Sequence, residues 1–241
     1  MREITLMTIL LAVPLICFAQ DTIIQASPQY KEEKKREEII QRAIDYAAGG
    51  DFEGAYQEFK NVSEKKTQLT EKYLKLLGDI LNKKIDKEVG LHLFKGLQLL
   101  RNTTSQNPVE AINEFKWVMN AEPNCELAYF IFGDICYHSA CADTEESKNI
   151  IPAFKKAIEI DPNFALAHYW LAFSYYMSSY MQSTEQSYDV MSKCKLVVEH
   201  YDKAIELEPS LKDIPYPKEE PGADALIDVC RKALKGEIPT E

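Results

Sequence analysis

Glycine is scarce in this chain: nine among 241 residues, and the nine are scattered. No glycine-rich phosphate loop can be assembled from them. The nucleophile spacing G-x-S-x-G is missing, and so is the zinc-protease pattern H-E-x-x-H. Basic patches are lacking too. Lys and Arg number 28 against 38 Asp and Glu, a net charge of −10. Without a basic surface, phosphate neutralisation cannot drive binding, which argues against nucleic acid as a partner. The one charge-dense run, Lys31–Glu38, mixes both signs and reads as a solvated helix face. Beyond residue 19 no apolar run is long enough to span a bilayer, so the mature chain is expected to have no transmembrane segment. Hydrophobic content of 46% is that of an ordinary soluble chain.

Cysteine is sparse, with six residues. One of them, Cys17, lies in a segment read as an export signal. Arg2 precedes the apolar stretch Leu6–Phe18, and Cys17-Phe18-Ala19 resembles a small-x-small cleavage site. Cleavage would leave Gln20 at the N-terminus, and residues 20–30 read as a short linker. The location expected on this reading is the periplasm or extracellular space of a cell envelope. Five cysteines would remain, an odd number, so one stays unpaired or pairs between chains. Cys136 and Cys141 are the close pair. They are a candidate disulfide if the helix ends near His138, and otherwise small buried residues. Their C-x-H-x2-C spacing fits no zinc or haem pattern. No metal ligand, cofactor-binding residue or catalytic residue is assigned.

What is present is repetition. Residues 115–137, FKWVMNAEPNCELAYFIFGDICY, are echoed by residues 154–176, FKKAIEIDPNFALAHYWLAFSYY, and in part by YDKAIELEPS from Tyr201. Internal repeats fix architecture before any other reading. Ahead of Pro123, Pro162 and Pro209, an aromatic residue (Phe115, Phe154, Tyr201) and a small apolar one (Val118, Ala157, Ala204) recur at helical spacing. Each proline then follows a helix end, where it cannot continue the ladder. A second helical pattern starts next: Tyr129, Phe132, Gly133, Cys136 in one copy, and His168, Leu171, Ala172, Tyr175 in the other.

These positions follow W-x2-L-G-x2-Y, and Ala111-x3-Phe115…Pro123 follows A-x3-F…P. The chain therefore resembles the tetratricopeptide (TPR) repeat family. A further copy near the N-terminus carries Ala43, Tyr46, Gly50-Asp51-Phe52, Ala55 and Phe59. The resemblance covers about residues 31–66 and 86–209. It departs from the family in spacing: the prolines are 39 and then 47 residues apart, against about 34 in the family. The extra residues fall near 139–148 and 177–191. The resemblance implies an all-α, right-handed solenoid of antiparallel helix hairpins over residues 31–209. A Pro-rich linker, 210–222, should follow, and then a C-terminal capping helix and tail, 223–241.

One helix is in excess. Residues 70–83 and 86–101 both show helical patterns, and three pairings are conceivable: 70–83 with 86–101, 86–101 with 108–121, or one continuous helix. The second fits best, because Ala111, Phe115 and Pro123 match the family pattern. It leaves 70–83 without a hairpin partner.

The resemblance also implies that each repeat's first helix lines a concave groove. That places Phe130, Asp134 and Tyr137 of one repeat, and Tyr169, Phe173 and Tyr176 of the next, on a groove surface. The expected function is a non-catalytic protein–protein interaction scaffold that takes another protein or peptide against these aromatics. Two alternatives stand beside it. One is an enzyme or ligand-binding accessory domain with the inter-helix insertions as a lid. The other is a structural module whose groove is filled by its own helices, since residues 165–181 are apolar nearly all round and must be covered.

Overall fold

The computed structural model describes residues 28–62, 67–102, 108–138, 148–181, 187–213 and 223–237. They fold into α1 (Pro28–Ala48), α2 (Phe52–Asn61), α3 (Gln68–Leu81), α4 (Lys87–Asn102), α5 (Val109–Ala121), α6 (Glu126–His138), α7 (Ile150–Ile160), α8 (Ala165–Met181), α9 (Ser187–Leu207) and α10 (Ala223–Leu234), with a 3-10 turn at Pro209–Asp213 before α10. No strand occurs among the described residues. The proposed signal segment, residues 1–19, and the segments 139–147 and 182–186 lie outside the described residues. Most of the insertion expected near 177–191 is helical instead: 177–181 extend α8 and 187–191 open α9. The first helix starts at Pro28, inside the stretch read as linker, and the 3-10 turn occupies the start of the Pro-rich stretch.

Local chemistry sets the boundaries. Asp51 caps α2 by accepting the Gly54 N–H at 2.9 Å, and Thr67 caps α3 by accepting the Thr70 N–H at 3.1 Å. Gly50 turns the chain between α1 and α2 at φ 87°, a value that suits glycine. The repeated acid-Pro turns are built alike. Asp161 accepts the Asn163 N–H at 3.0 Å across Pro162, and Glu122 accepts the Asn124 N–H at 3.4 Å across Pro123.

Helices pair as hairpins α1/α2, α4/α5, α6/α7 and α8/α9, and the hairpins stack in chain order. This is an all-helical, TPR-like solenoid, in which each hairpin buries its faces against its neighbours. Small residues set the crossings. A Cβ on Gly133 would stand 3.0 Å from the Phe154 ring, and one on Gly96 would stand 2.7 Å from the Phe115 ring. Those distances leave no room for a side chain, so α6 lies close on α7 and α4 close on α5. α10 packs on α9 through Ile227 and Cys230 and covers the last hairpin.

The surplus helix is α3. Although it lies between α2 and α4 in sequence, α1 packs directly on α4, and the polar ties Gln98–Asp45 (2.8 Å) and Arg101–Gln41 join them. α3 is therefore left out of the stack, and the pairing of α4 with α5 is the one the repeat pattern favoured.

Candidate functional site

α3 lies across the stack and ties its hairpins together. Leu76, Leu77 and Ile80 are buried, and Ile80 reaches Gly90 near the start of α4. Tyr73 packs between Phe59 of α2 and Phe94 of α4, with ring centroids 5.4 and 5.8 Å away. The preceding residue, Lys72, reaches further along the stack. Its Nζ is 3.1 Å from Glu126 Oε1, at the first residue of α6. It also pairs with Asp161 in the turn before α8 and sits 4.2 Å from the centre of the Phe164 ring. Gln68 completes the contact: its Nε2 donates to the Asn163 carbonyl, and its Oε1 accepts the Ala165 N–H at 2.8 Å, capping α8.

The Lys72 side chain is only 8% exposed. A lysine this buried is held because two carboxylates and an aromatic face replace its water. Burial alone would raise the Asp161 pKa. The hydrogen bonds from Lys72 and from the Asn163 N–H outweigh it and hold Asp161 below the usual carboxylate range.

The groove residues expected from the repeat pattern divide into two sets. Phe130, Tyr169 and Phe173 are core: they are 2%, 0% and 0% exposed. Phe130 packs on Phe154 of α7 and on Phe164, at 6.0 and 4.6 Å between centroids. Tyr169 and Phe173 pack on Tyr201 of α9, at 6.0 and 6.2 Å. They do not line an open surface. α8 is apolar nearly all round because α9 covers the side that carries Tyr169 and Phe173, which is the cover by the chain's own helices held open as an alternative.

Asp134 is also buried, with Oδ1 3.4 Å from His138 Nε2, while Oδ2 has no hydrogen-bond partner among the described residues. The second set is Tyr137 and Tyr176, both half-buried. They stand in the C-terminal parts of α6 and α8, each followed by an exposed residue, His138 and Met177, the latter 38% exposed. Trp170, in the second turn of α8, packs on the end of α6, 5.3 Å from Tyr137 and 4.6 Å from His138 between centroids. Cys136 is buried within α6. The Cys136–Cys141 pairing falls on Cys141, which lies outside the described residues.

Sequence reasoning missed a histidine pair. His168 Nε2–H donates to the Pro162 carbonyl at 3.1 Å, which leaves Nδ1 to accept from His200 Nδ1–H at 3.0 Å. Burial lowers the pKa of His168. Burial and the neighbouring His168 together pull His200 down to about 4. Both rings are thus neutral packing groups between α8 and α9. The Lys72 clamp was missed as well. The available signal was an amphipathic helix without a hairpin partner.

Among the described residues no cluster of His, Cys, Asp and Glu could hold a metal ion. A cavity of about 180 Å³ beside α9 is lined by Tyr201, Asp202, Ile205, Lys212 and Arg231. Arg231 there is already paired with Asp202.

Residues 151–179, from the first turn of α7 to near the end of α8, match the model of the TPR repeat family. No curated protein matches the chain significantly. The match supports the TPR family, and the stacked hairpins agree with it. Repeats of this family generally serve as protein-interaction scaffolds, typically non-catalytic ones.

Proposed function

We propose that this chain is a non-catalytic protein–protein interaction scaffold of the cell envelope, exported by the segment around Arg2–Ala19. It takes a peptide or partner helix at the aromatic lip formed by Tyr137, His138, Tyr176 and Met177. The observation that carries the reading is the partial exposure of this lip on a TPR-like stack, beside the buried Asp134 Oδ2, which has no hydrogen-bond partner among the described residues. Large amphipathic aromatics anchor such contacts at low conformational cost.

A photo-crosslinking residue placed at Tyr176, with a control at exposed Asn113 of α5, tests it in the native envelope fraction. One discrete adduct from position 176, with none from 113, is expected. Equal labelling from both positions would remove the lip as a docking surface.

A second reading draws on α3. Because Gln68, Lys72 and Tyr73 span α2, α4, α6 and the start of α8, the chain could be a structural module that bridges its own stack. Under that reading the crosslinker at Tyr176 yields no adduct, and removing the α3 contacts loosens the hairpins.

A further inference from the structure

Cys194 stands on α9 and Cys230 on α10, the pair of helices that closes the C-terminal end of the stack. Both are buried, at 6% and 2% exposure, in the interface that also holds Val197, Tyr201 and Ile227. Their thiols are hydrogen-bonded to each other. Two rigid helices, packed along their apolar faces, thus hold the two sulfurs in contact.

We propose that Cys194 and Cys230 are a disulfide site, which locks α10 onto α9 when the chain meets a disulfide oxidant. The bond would close the segment between them, including Pro215, Pro217 and Pro221. Cys194 is the attacking thiol. The S–H of Cys230 donates to its sulfur and favours the thiolate, against the opposing effect of burial. That same hydrogen bond to Cys194, and burial after it, keep the Cys230 proton in place until the exchange begins.

The Cys194 thiolate attacks one sulfur of a disulfide such as oxidised glutathione. A mixed disulfide forms and one glutathione thiolate leaves. Cys230 then gives up its proton and attacks the Cys194 sulfur, expelling the second glutathione. The two protein thiols lose two protons and two electrons, and the oxidant takes up the electrons. Access is by local opening of α10, a terminal helix packed mainly on one neighbour. Cys125 provides an internal contrast: burial pushes its thiol up to about 12, and it has no second cysteine beside it among the described residues.

Whether the bond forms in the host rests on the export reading; formation in a defined buffer does not. The experiment uses the full chain, reduced and then equilibrated with oxidised and reduced glutathione. Peptide mapping without reduction should show Cys194 joined to Cys230, with intact mass lower by about 2 Da than the reduced chain. The melting temperature should rise by about 5 °C or more and return on reduction. Cys194→Ser and Cys230→Ser should each abolish the rise. The mapping needs no variant, so a variant that fails to fold does not block the result. Recovery of both cysteines as alkylated thiols after oxidation, or Cys194 joined elsewhere, would overturn the proposal. Protein isolated from its host with the signal uncleaved and the thiols reduced would instead refute export alone, provided the bond forms in the buffer.

Discussion

The inner helices are treated differently at their two ends. Over the N-terminal halves of α4, α6 and α8, the chain's own helix α3 supplies Ile80, Tyr73, Lys72 and Gln68 as cover. In the C-terminal parts of α6 and α8, Tyr137 and Tyr176 keep part of their surface. The repeat pattern is the same at both ends, so pattern alone does not decide which aromatic is core and which is contact surface. The deciding quantity is what packs on it: α7 on Phe130, α9 on Tyr169 and Phe173, and α3 on Phe94.

The largest expected effect is in the core. Phe173→Ala removes a fully buried ring from the α8–α9 contact and should cost about 3–5 kcal/mol in thermal or urea unfolding. A cost near that of an exposed residue would place Phe173 on a groove wall after all. Next comes the clamp. Lys72→Ala leaves Glu126 and Asp161 without their cation, and should cost about 1–3 kcal/mol, since Asp161 keeps some water contact. Lys156→Ala, which breaks a surface pair with Glu159, serves as the comparison and should leave the melting almost unchanged. If both variants melt alike, α3 is not clamped.

The histidine pair predicts a pH dependence. The folded pKa of His200 is depressed to about 4, so the unfolded chain binds the extra proton first as pH falls. The contribution is whole above the ordinary histidine value, about 6.5, and is lost progressively down to about 4. Lys155 near His200 and Lys203 near His168 oppose protonation, while Glu199 and Asp161 favour it. With screening at the partly exposed His200 ring, the loss should be about 1–2 kcal/mol. Melting temperatures measured between those pH values should fall in the parent and stay flatter in His200→Gln. A parallel fall in both would assign the slope to other groups. The smallest effect belongs to the lip: Tyr176→Ala should change stability by less than about 1 kcal/mol, because half-buried surface residues contribute little. A loss as large as that of Phe173→Ala would mean the lip is core and not a docking surface.

Much of the fold could be read from the sequence. Pro123, Pro162 and Pro209, with Phe115, Phe154 and Tyr201 at fixed offsets ahead of them, mark the hairpins because proline ends helices and helical spacing gathers apolar residues on one side. Gly133 was legible for the same reason, and the structure places it against Phe154. The position of α3 was not legible. Its anchoring groups are Lys72 and Gln68, polar residues whose partners Glu126, Asp161 and Asn163 lie far along the chain, and no local period encodes such contacts. The split of the aromatics was hidden as well. Spacings of four and three put Tyr169, Phe173 and Tyr176 on one side of α8, but a helix that is apolar all round does not say which neighbour covers that side. The Cys194–Cys230 contact escaped because it is set by the docking of α10 on α9, whereas sequence spacing drew attention to Cys136 and Cys141.

The central claim is that α3 bridges the stack through Lys72. Nuclear Overhauser contacts between the Lys72 ε-methylene protons and the Phe164 ring, in chain labelled selectively at lysine and phenylalanine, measure this directly. The Nζ–ring distance of 4.2 Å predicts a strong contact, with the Lys72 methylene resonances shifted upfield by the ring. Lys72 resonances at the positions of exposed lysines such as Lys84, with no contact to Phe164, would contradict it.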